Sequence, residues 1–388
     1  MKKGYIIPFF LVLIIALSAI VGSVTYITTA SVRNINSKIY EQRSHYIAEA
    51  GIYKALWYLI GPEAEGAQGM TWRTTGVTEE FGGGNYTIVI ENYPIGGYAN
   101  TLKITSIGTY NNKQDTIQLT AYEDFIDVFT NYALYSSRDF DMTTSNIISG
   151  NFFADGNVLI TTGSKIKDGI VAVTGDHGIT GEGEYIVGSS GDVPTVPPFD
   201  TTYYDNQLAV VAAGGASVVQ GDQSYSGLNL NGQTLYVNGN VTITGVITGP
   251  GEIVASGNLI VSKYTDVAAG IKLIAGNRLD VDYHKVDMRP NVILYGAEKV
   301  ITQGNLTNEW PIFIFTPKEL YIGNNNLLNG RFYGGKIDFG LSTIINGVVI
   351  IGSYGEHVLH SNSSIIHQKF EQSIPPGFPT RLVLHKWQ

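Results

Sequence analysis

The first thirty residues carry the clearest pattern in the chain. No charged residue occurs from Tyr5 to Val32, and the stretch Ile6 to Val24 is almost wholly apolar. At about 1.5 Å rise per residue, some 20 such residues cross a bilayer as a helix. Lys2 and Lys3 precede the run, which favours a cytoplasmic N-terminus and export of the remainder of the chain. A cleaved secretory signal would have a shorter apolar core and a small-residue cleavage site. Here the helical pattern continues past Arg33. Val32, Ile35, Ile39, Tyr46, Tyr53, Leu56 and Ile60 fall on one helix face, with Gln42 and Glu49 in its gaps. Gly61-Pro62 is the first stop signal. The pattern predicts one helix, Tyr5 to Leu59, of about 80 Å: apolar all round in its first half, amphipathic in its second.

Beyond it the period changes to two. YTIVIE (86–91), TLKITSI (101–107) and TIQLTAY (116–122) alternate or are β-branched. Pro94, Gly96, Gly97 and Asn100 separate the first pair, and Asn111-Asn112 the second. An antiparallel meander is expected, with Trp72 as a packing residue.

From Asn131 onward short β runs follow Gly-Asn pairs at 156–157, 239–240, 257–258 and 276–277. Asn240, Asn258 and Asn277 recur 18 and 19 residues apart. A period of that size signals a solenoid. Strands should stack in parallel from coil to coil, with Gly or Asn at corners where φ > 0 is needed. The expected core holds Val241, Ile243, Ile253, Leu259, Val261, Ile271, Leu273 and, in part, Ile274. The pattern lapses between Gly191 and Gly227, where three prolines precede Tyr203 to Ala213, a candidate short helix on an insertion. It returns in Ile322 to Ile351. A β-sandwich would instead show hairpin turns every 8–12 residues. The fold class expected is mainly β: a long N-terminal α-helix, transmembrane then amphipathic, a small antiparallel sheet, then a right-handed parallel β-solenoid.

Composition sharpens this. Charged residues are only 15%, and the 46 glycines and 24 tyrosines suit turn-rich β structure. A net charge of −9 without a basic cluster argues against a nucleic-acid partner. The chain has no cysteine, so disulfides, thiol catalysis and Cys-ligated zinc are excluded.

Chemistry is sparse. Asp139 with Asp141, and Asp280 with Asp282, share strand faces, as a polysaccharide-cleaving β-helix would require. A solvated strand face is the plainer reading. His357, His360 and His367 are weak metal candidates among Ser and Asn, with only Glu356 nearby. No Walker, HExxH or Gly-x-Ser-x-Gly pattern occurs. No cofactor, metal or enzymatic activity is expected. The tyrosines suit a carbohydrate- or surface-binding face.

Lys2-Lys3-Gly4 before Tyr5 and the apolar helix resembles a type IV prepilin leader. Ala48-Glu49-Ala50-Gly51 resembles the N-terminal region of PilX-type pilus assembly proteins. Ser136 to Gly181, Leu228 to Asp282 and the Pro375-Pro376-Gly377-Phe378 end resemble the β-solenoid bodies joined to such N-termini. The resemblance implies a minor pilin or pseudopilin acting in assembly, surface display or adhesion. The alternative is a membrane-anchored β-helix enzyme acting on polysaccharide, or a carbohydrate-binding surface protein. Its implied partners are other pilins through the N-terminal helix, a prepilin peptidase and the inner membrane. The chain would span the membrane once before assembly, with its body outside, and lie in a surface filament afterwards. Major pilins carry a glutamate five residues into the mature chain; here that position is Phe9. The organisation expected is a leader (1–4), the helix (5–60), a small antiparallel β region (61–127), a solenoid body (128–370) with an insertion near 191–227, and a C-terminal tail (371–388).

Cleavage between Gly4 and Tyr5 is the first testable consequence. Mass spectrometry of the exported protein should find Tyr5, methylated on its amine, at the N-terminus. Recovery of Met1-Lys2-Lys3 would leave a plain membrane anchor.

Overall fold

The computed structural model describes residues 6–61, 65–70, 72–94, 101–125, 131–189, 193–194, 196, 199–262, 265–282, 286–352, 357–370, 374–376, 378 and 380–387. The chain divides into two compact units, Met1–Asp124 with Arg381–Gln388, and Phe125–Thr380.

In the first unit a single helix, α1, runs Ile6–Ile60. Four strands follow: β1 (Thr74–Phe81), β2 (Gly84–Asn92), β3 (Leu102–Tyr110) and β4 (Lys113–Phe125). Each pairs antiparallel with the next. The meander is the expected one with a strand added: the Thr- and Glu-rich sequence of β1 lacks the alternation that marks the other three. Asn111 and Asn112 both have positive φ, 47° and 64°. Such a pair makes the two-residue turn whose twist matches a hairpin, and the Asn side chain tolerates it. A fifth strand, Thr380–Trp387, completes this sheet beyond β4. The expected tail, 371–388, therefore ends in a sheet strand.

α1 does not dock through its stripe of large apolar residues. Ile47, Ala48, Ile52, Ala55 and Leu59 are buried against Ile88, Ile90, Leu102, Ile104 and Leu119. Small residues set the distance. A Cβ on Gly108 would sit 2.1 Å from the Ser44 carbonyl oxygen and 2.4 Å from the Ala48 nitrogen. One on Gly51 would sit 2.2 Å from Ser106 Oγ. Ala48 and Gly51 of the pilin-like segment thus permit close helix–sheet approach.

The second unit is a parallel β-solenoid. Val241, Ile243, Ile253, Leu259, Val261, Ile271 and Leu273 are all fully buried inside it, as expected, in one continuous core. Ile274 is buried too, but from the other side of its strand, in a separate cluster. Asn240, Asn258 and Asn277 form a ladder rather than left-handed corners. Asn240 donates its backbone N–H and Nδ2 to Asp222 Oδ1 at 2.8 and 3.1 Å. The Asn258 backbone N–H donates to Asn240 Oδ1 at 2.8 Å, and Asn277 Nδ2 to Asn258 Oδ1 at 3.0 Å. One row of left-handed residues stands at another corner: Asn305, Asn325, Ser342, Asn362 and Ser145, with φ of 56° to 63°.

The coils do not stack in chain order. The first strand, Tyr132–Ser136, pairs with Asn151–Ala154 on one edge and with Ile344–Ile351 on the other. The chain enters mid-stack and builds outward to Ile179–Thr180. It resumes at the far end, at Val218–Gln220 and Gln223–Asn229, and returns coil by coil to close on the first. The insertion accordingly ends by Val218, not Gly227.

That crossing carries the expected helix, α2 (Thr202–Ala213). It lies on an outer row of residues in register from Tyr236 through Tyr295, Phe315 and Tyr333 to Tyr135 and Phe153. Tyr204 is fully buried, stacked on Tyr295 with centroids 4.2 Å apart and 16° between planes. Phe199 packs on Phe315, Tyr333 and Phe378.

Replacing Val241 with Asp should destabilise the solenoid by several kcal/mol, since the inner core offers the carboxylate no partner. A thermal melt followed by far-UV circular dichroism reads the change; an unaltered melting temperature would contradict this account of the core.

Candidate functional site

The element with the least internal explanation is the N-terminal half of α1. By length and composition the helix can cross a membrane, with a mean hydropathy of 2.5 in its most apolar stretch and none of that stretch buried. Three of its hydroxyls bond within the helix: Ser23, Thr25 and Thr28 each donate to the carbonyl four residues back at 2.8 Å. That is how polar side chains are tolerated in lipid. The large-residue stripe continues on the exposed side of the docked half. Ile35, Ile39, Tyr46 and Tyr53 are 58%, 40%, 64% and 59% exposed.

Polar tethers fix the docked half to its sheet. His45 Nδ1 lies 2.6 Å from Asp115 Oδ2, Lys113 Nζ 3.1 Å from Glu41, and Arg43 Nη1 bonds the Tyr110 hydroxyl. Glu79 accepts from the hydroxyls of Tyr58 on α1 at 2.7 Å and Tyr86 on β2 at 2.5 Å. Those two donors, Tyr86 foremost, hold its carboxyl below the usual range. Gly4 and Tyr5 lie outside the described residues; Phe9 is in the helix backbone.

The carboxylate pairs serve the solenoid's own bonding. Asp139 accepts from the Asn157 backbone N–H at 2.6 Å. Asp280 is clamped by Arg278, whose Nε lies 2.7 Å from Oδ1 and whose Nη2 bonds Oδ2. Asp141 is in register with Val358 and Leu159, and Asp280 with Ile260 and Ile301. The fold does not bring the two pairs to neighbouring strands.

The three histidines have separate surroundings. His360 Nε2 is 3.5 Å from Asp338 Oδ1. The His367 backbone N–H donates to the Ser149 carbonyl at 2.8 Å. His357, unlike the surface residue that its Ser- and Asn-rich context suggests, is 1% exposed. Its Nε2 donates to the Gly352 carbonyl at 3.1 Å, while Nδ1 is buried without a partner. Glu356 lies outside the described residues. Among the described residues no group of three His, Cys, Asp or Glu is arranged to hold a metal. Sequence reasoning missed the inward position of His357. Its alternation with Val358 and buried Leu359 was the available signal.

No family model and no curated protein matches this chain. Solved structures similar to it at low level include two. One is the competence-associated pilin ComZ from Thermus thermophilus, at 12% identity and a TM-score of 0.29, covering 90% of this chain and 97% of that one. The other is an ice-binding protein from the Antarctic ascomycete Antarctomyces psychrotrophicus, at 9% identity and a TM-score of 0.23, covering 63% and 97%.

Burial pushes the His357 pKa down, and the nearby Arg138 and Lys336 act in the same direction. The folded state therefore prefers neutral imidazole. This contribution to stability is intact above the unfolded value of about 6.5 and is lost as pH falls below it. The wild type should lose melting temperature from pH 7 to pH 5, and His357→Leu should flatten that slope. An unchanged slope would remove His357 as its cause.

Proposed function

We propose that this chain is a minor subunit of a type IV filament or related secretion filament. It is held in the inner membrane by α1 before assembly and displays its solenoid outside. The observation that carries this reading is the unburied apolar surface of α1, which does not end with the membrane-length segment. It continues as Ile35, Ile39, Tyr46 and Tyr53 along the back of the half docked on the sheet. A plain anchor needs apolar surface only across the bilayer. A helix meant to pack among other helices needs it along its whole length. The leader-like Lys2-Lys3-Gly4-Tyr5 supports the same reading, with a prepilin peptidase as processing partner.

Phe9 bears on position. A glutamate in the apolar core of a filament is tolerable when it meets a neighbour's terminal amine. Phe9 cannot neutralise an amine and has no desolvation penalty of its own. A subunit built this way is best accommodated where no neighbour docks above it, at the tip. The body then acts in display and adhesion rather than turnover; Asp139 and Asp280 are already engaged by Asn157 and Arg278.

Ile35→Glu with Ile39→Glu tests the reading. Both sites are solvent-exposed, so the double variant should keep its melting temperature while its recovery in sheared filaments falls at least tenfold. Undiminished incorporation would overturn the helix-packing role. Immunogold label on the wild type should mark one filament end; label along the shaft would overturn the tip position.

A further inference from the structure

The outer face of the solenoid formed by Leu259–Val261, Arg278–Val281, Lys299–Thr302 and Ile312–Ile322 carries a shallow cleft of about 370 Å³. Asn258 and Asn277 of the asparagine ladder form one side of its lining. The remaining lining side chains are charged and held in pairs. Arg278 grips Asp280, Lys299 Nζ lies 2.8 Å from Glu319, and Lys318 Nζ lies 2.5 Å from Glu298. Both lysine pairs bridge neighbouring coils, and the three cations and three carboxylates cancel.

Beside the cleft, Ile260, Asp280, Ile301 and Tyr321 stand in register, one per coil, at a spacing of about 4.8 Å. Ile260 is 37% exposed, and Ile301 and Tyr321 are half-buried. Ile301 and Tyr321, on adjacent coils, thus give a short apolar edge alongside the charged pairs.

We propose that this cleft binds an uncharged, hydroxyl-rich polysaccharide. The charges decide the class. An anionic polymer would meet Glu298 and Glu319, and a cationic one Arg278, Lys299 and Lys318. A sugar hydroxyl both donates and accepts, so it can bridge the two partners of an ion pair without separating them. Pairing also holds flexible side chains in place before a ligand arrives, lowering the entropy lost on binding. The C–H face of a sugar ring lies on Ile301 and the Tyr321 ring, as the apolar parts of ligands lie on aromatic walls elsewhere. Because the coils repeat, so do the contacts, which suits a polymer. The inference rests on the body being displayed outside the membrane, and not on where in a filament the chain stands.

The test uses the full chain in detergent and a panel of insoluble cellulose, chitin, mannan and cross-linked dextran, with heparin and alginate beads as anionic comparators. At least one neutral matrix should retain the protein in 0.5 M salt. Tyr321→Ala should lower the retained fraction at least tenfold. The exchange Glu298→Lys with Lys318→Glu preserves that ion pair, and should weaken retention while leaving the melting temperature unchanged. The proposal is overturned if no neutral matrix retains the protein, if retention occurs only on the anionic beads, or if both folded variants bind like the wild type. None of these outcomes depends on filament assembly, so the filament reading stands or falls separately.

Discussion

Every strand in a parallel coil leaves a row of backbone donors and acceptors on each edge, and an unpaired buried amide costs as much as a lost hydrogen bond. The architecture of the solenoid follows from that constraint. A first coil placed at the end of the stack would leave one edge open. Here it sits between two others. Leu134, Tyr135 and Ser136 pair with Phe152, Phe153 and Ala154 on one edge, and with Val349, Ile350 and Ile351 on the other. The open edges are thereby moved to the two ends of the stack. At one end Gly183 and Glu184 still donate to the Ile160 and Ser164 carbonyls, carrying the ladder beyond the last full coil.

A stack assembled in this order needs a segment that crosses from one end to the other, and the sequence of the outer face reflects it. The register row from Tyr236 to Phe153 is apolar and aromatic across coils that precede and follow the closure. Exposed, it would be a large apolar patch. The crossing segment covers it. Tyr204 and Phe199 supply the packing, and the Tyr204 hydroxyl donates to the Pro376 carbonyl at 2.9 Å. Lys272 ties the crossing down, lying 2.7 Å from Glu252 and 2.8 Å from the Tyr203 hydroxyl. The residues between coils that look least regular in sequence are those that the closed stack requires.

This explains why some features could be read in advance and others could not. Strand positions and inward residues were legible because alternation and the 18- and 19-residue recurrence are local. Val241, Leu259 and Val261 needed only their own neighbours in sequence. The order of coils was not legible, since each coil carries the same local signal whichever coil lies beside it. The recurring asparagines were legible but not their role: Asn240, Asn258 and Asn277 lack the left-handed backbone expected of them and act through side-chain amides, which no backbone argument reveals. On α1, large side chains pointed to one face. Docking depended on the smallest residues, where Gly51 and Gly108 allow backbones to approach. Of the candidate site, the exposed apolar helix was visible in the sequence. The two lysine–glutamate pairs near Ile301 were not, because their partners lie 20 residues apart and meet only when two coils are in register.

The same edge rule links the two units through the chain path. β4 would be the free edge of a four-stranded meander, and Thr380–Trp387 covers it. That strand comes after the whole solenoid, so the body is an insertion between the last two strands of the N-terminal sheet. A host sheet can accept such an insertion when the inserted body begins and ends close together. Mid-stack entry meets that condition. The first coil and the last are direct register neighbours, His357 beside Phe140 and Ile365 beside Ile148. A solenoid built in chain order would begin at one end of the stack and finish at the other, with its termini separated by its full length. Entering in the middle lets a long body grow in both directions while its two attachments stay together. The unit that carries α1 then keeps its own core and its own hydrogen-bonded sheet.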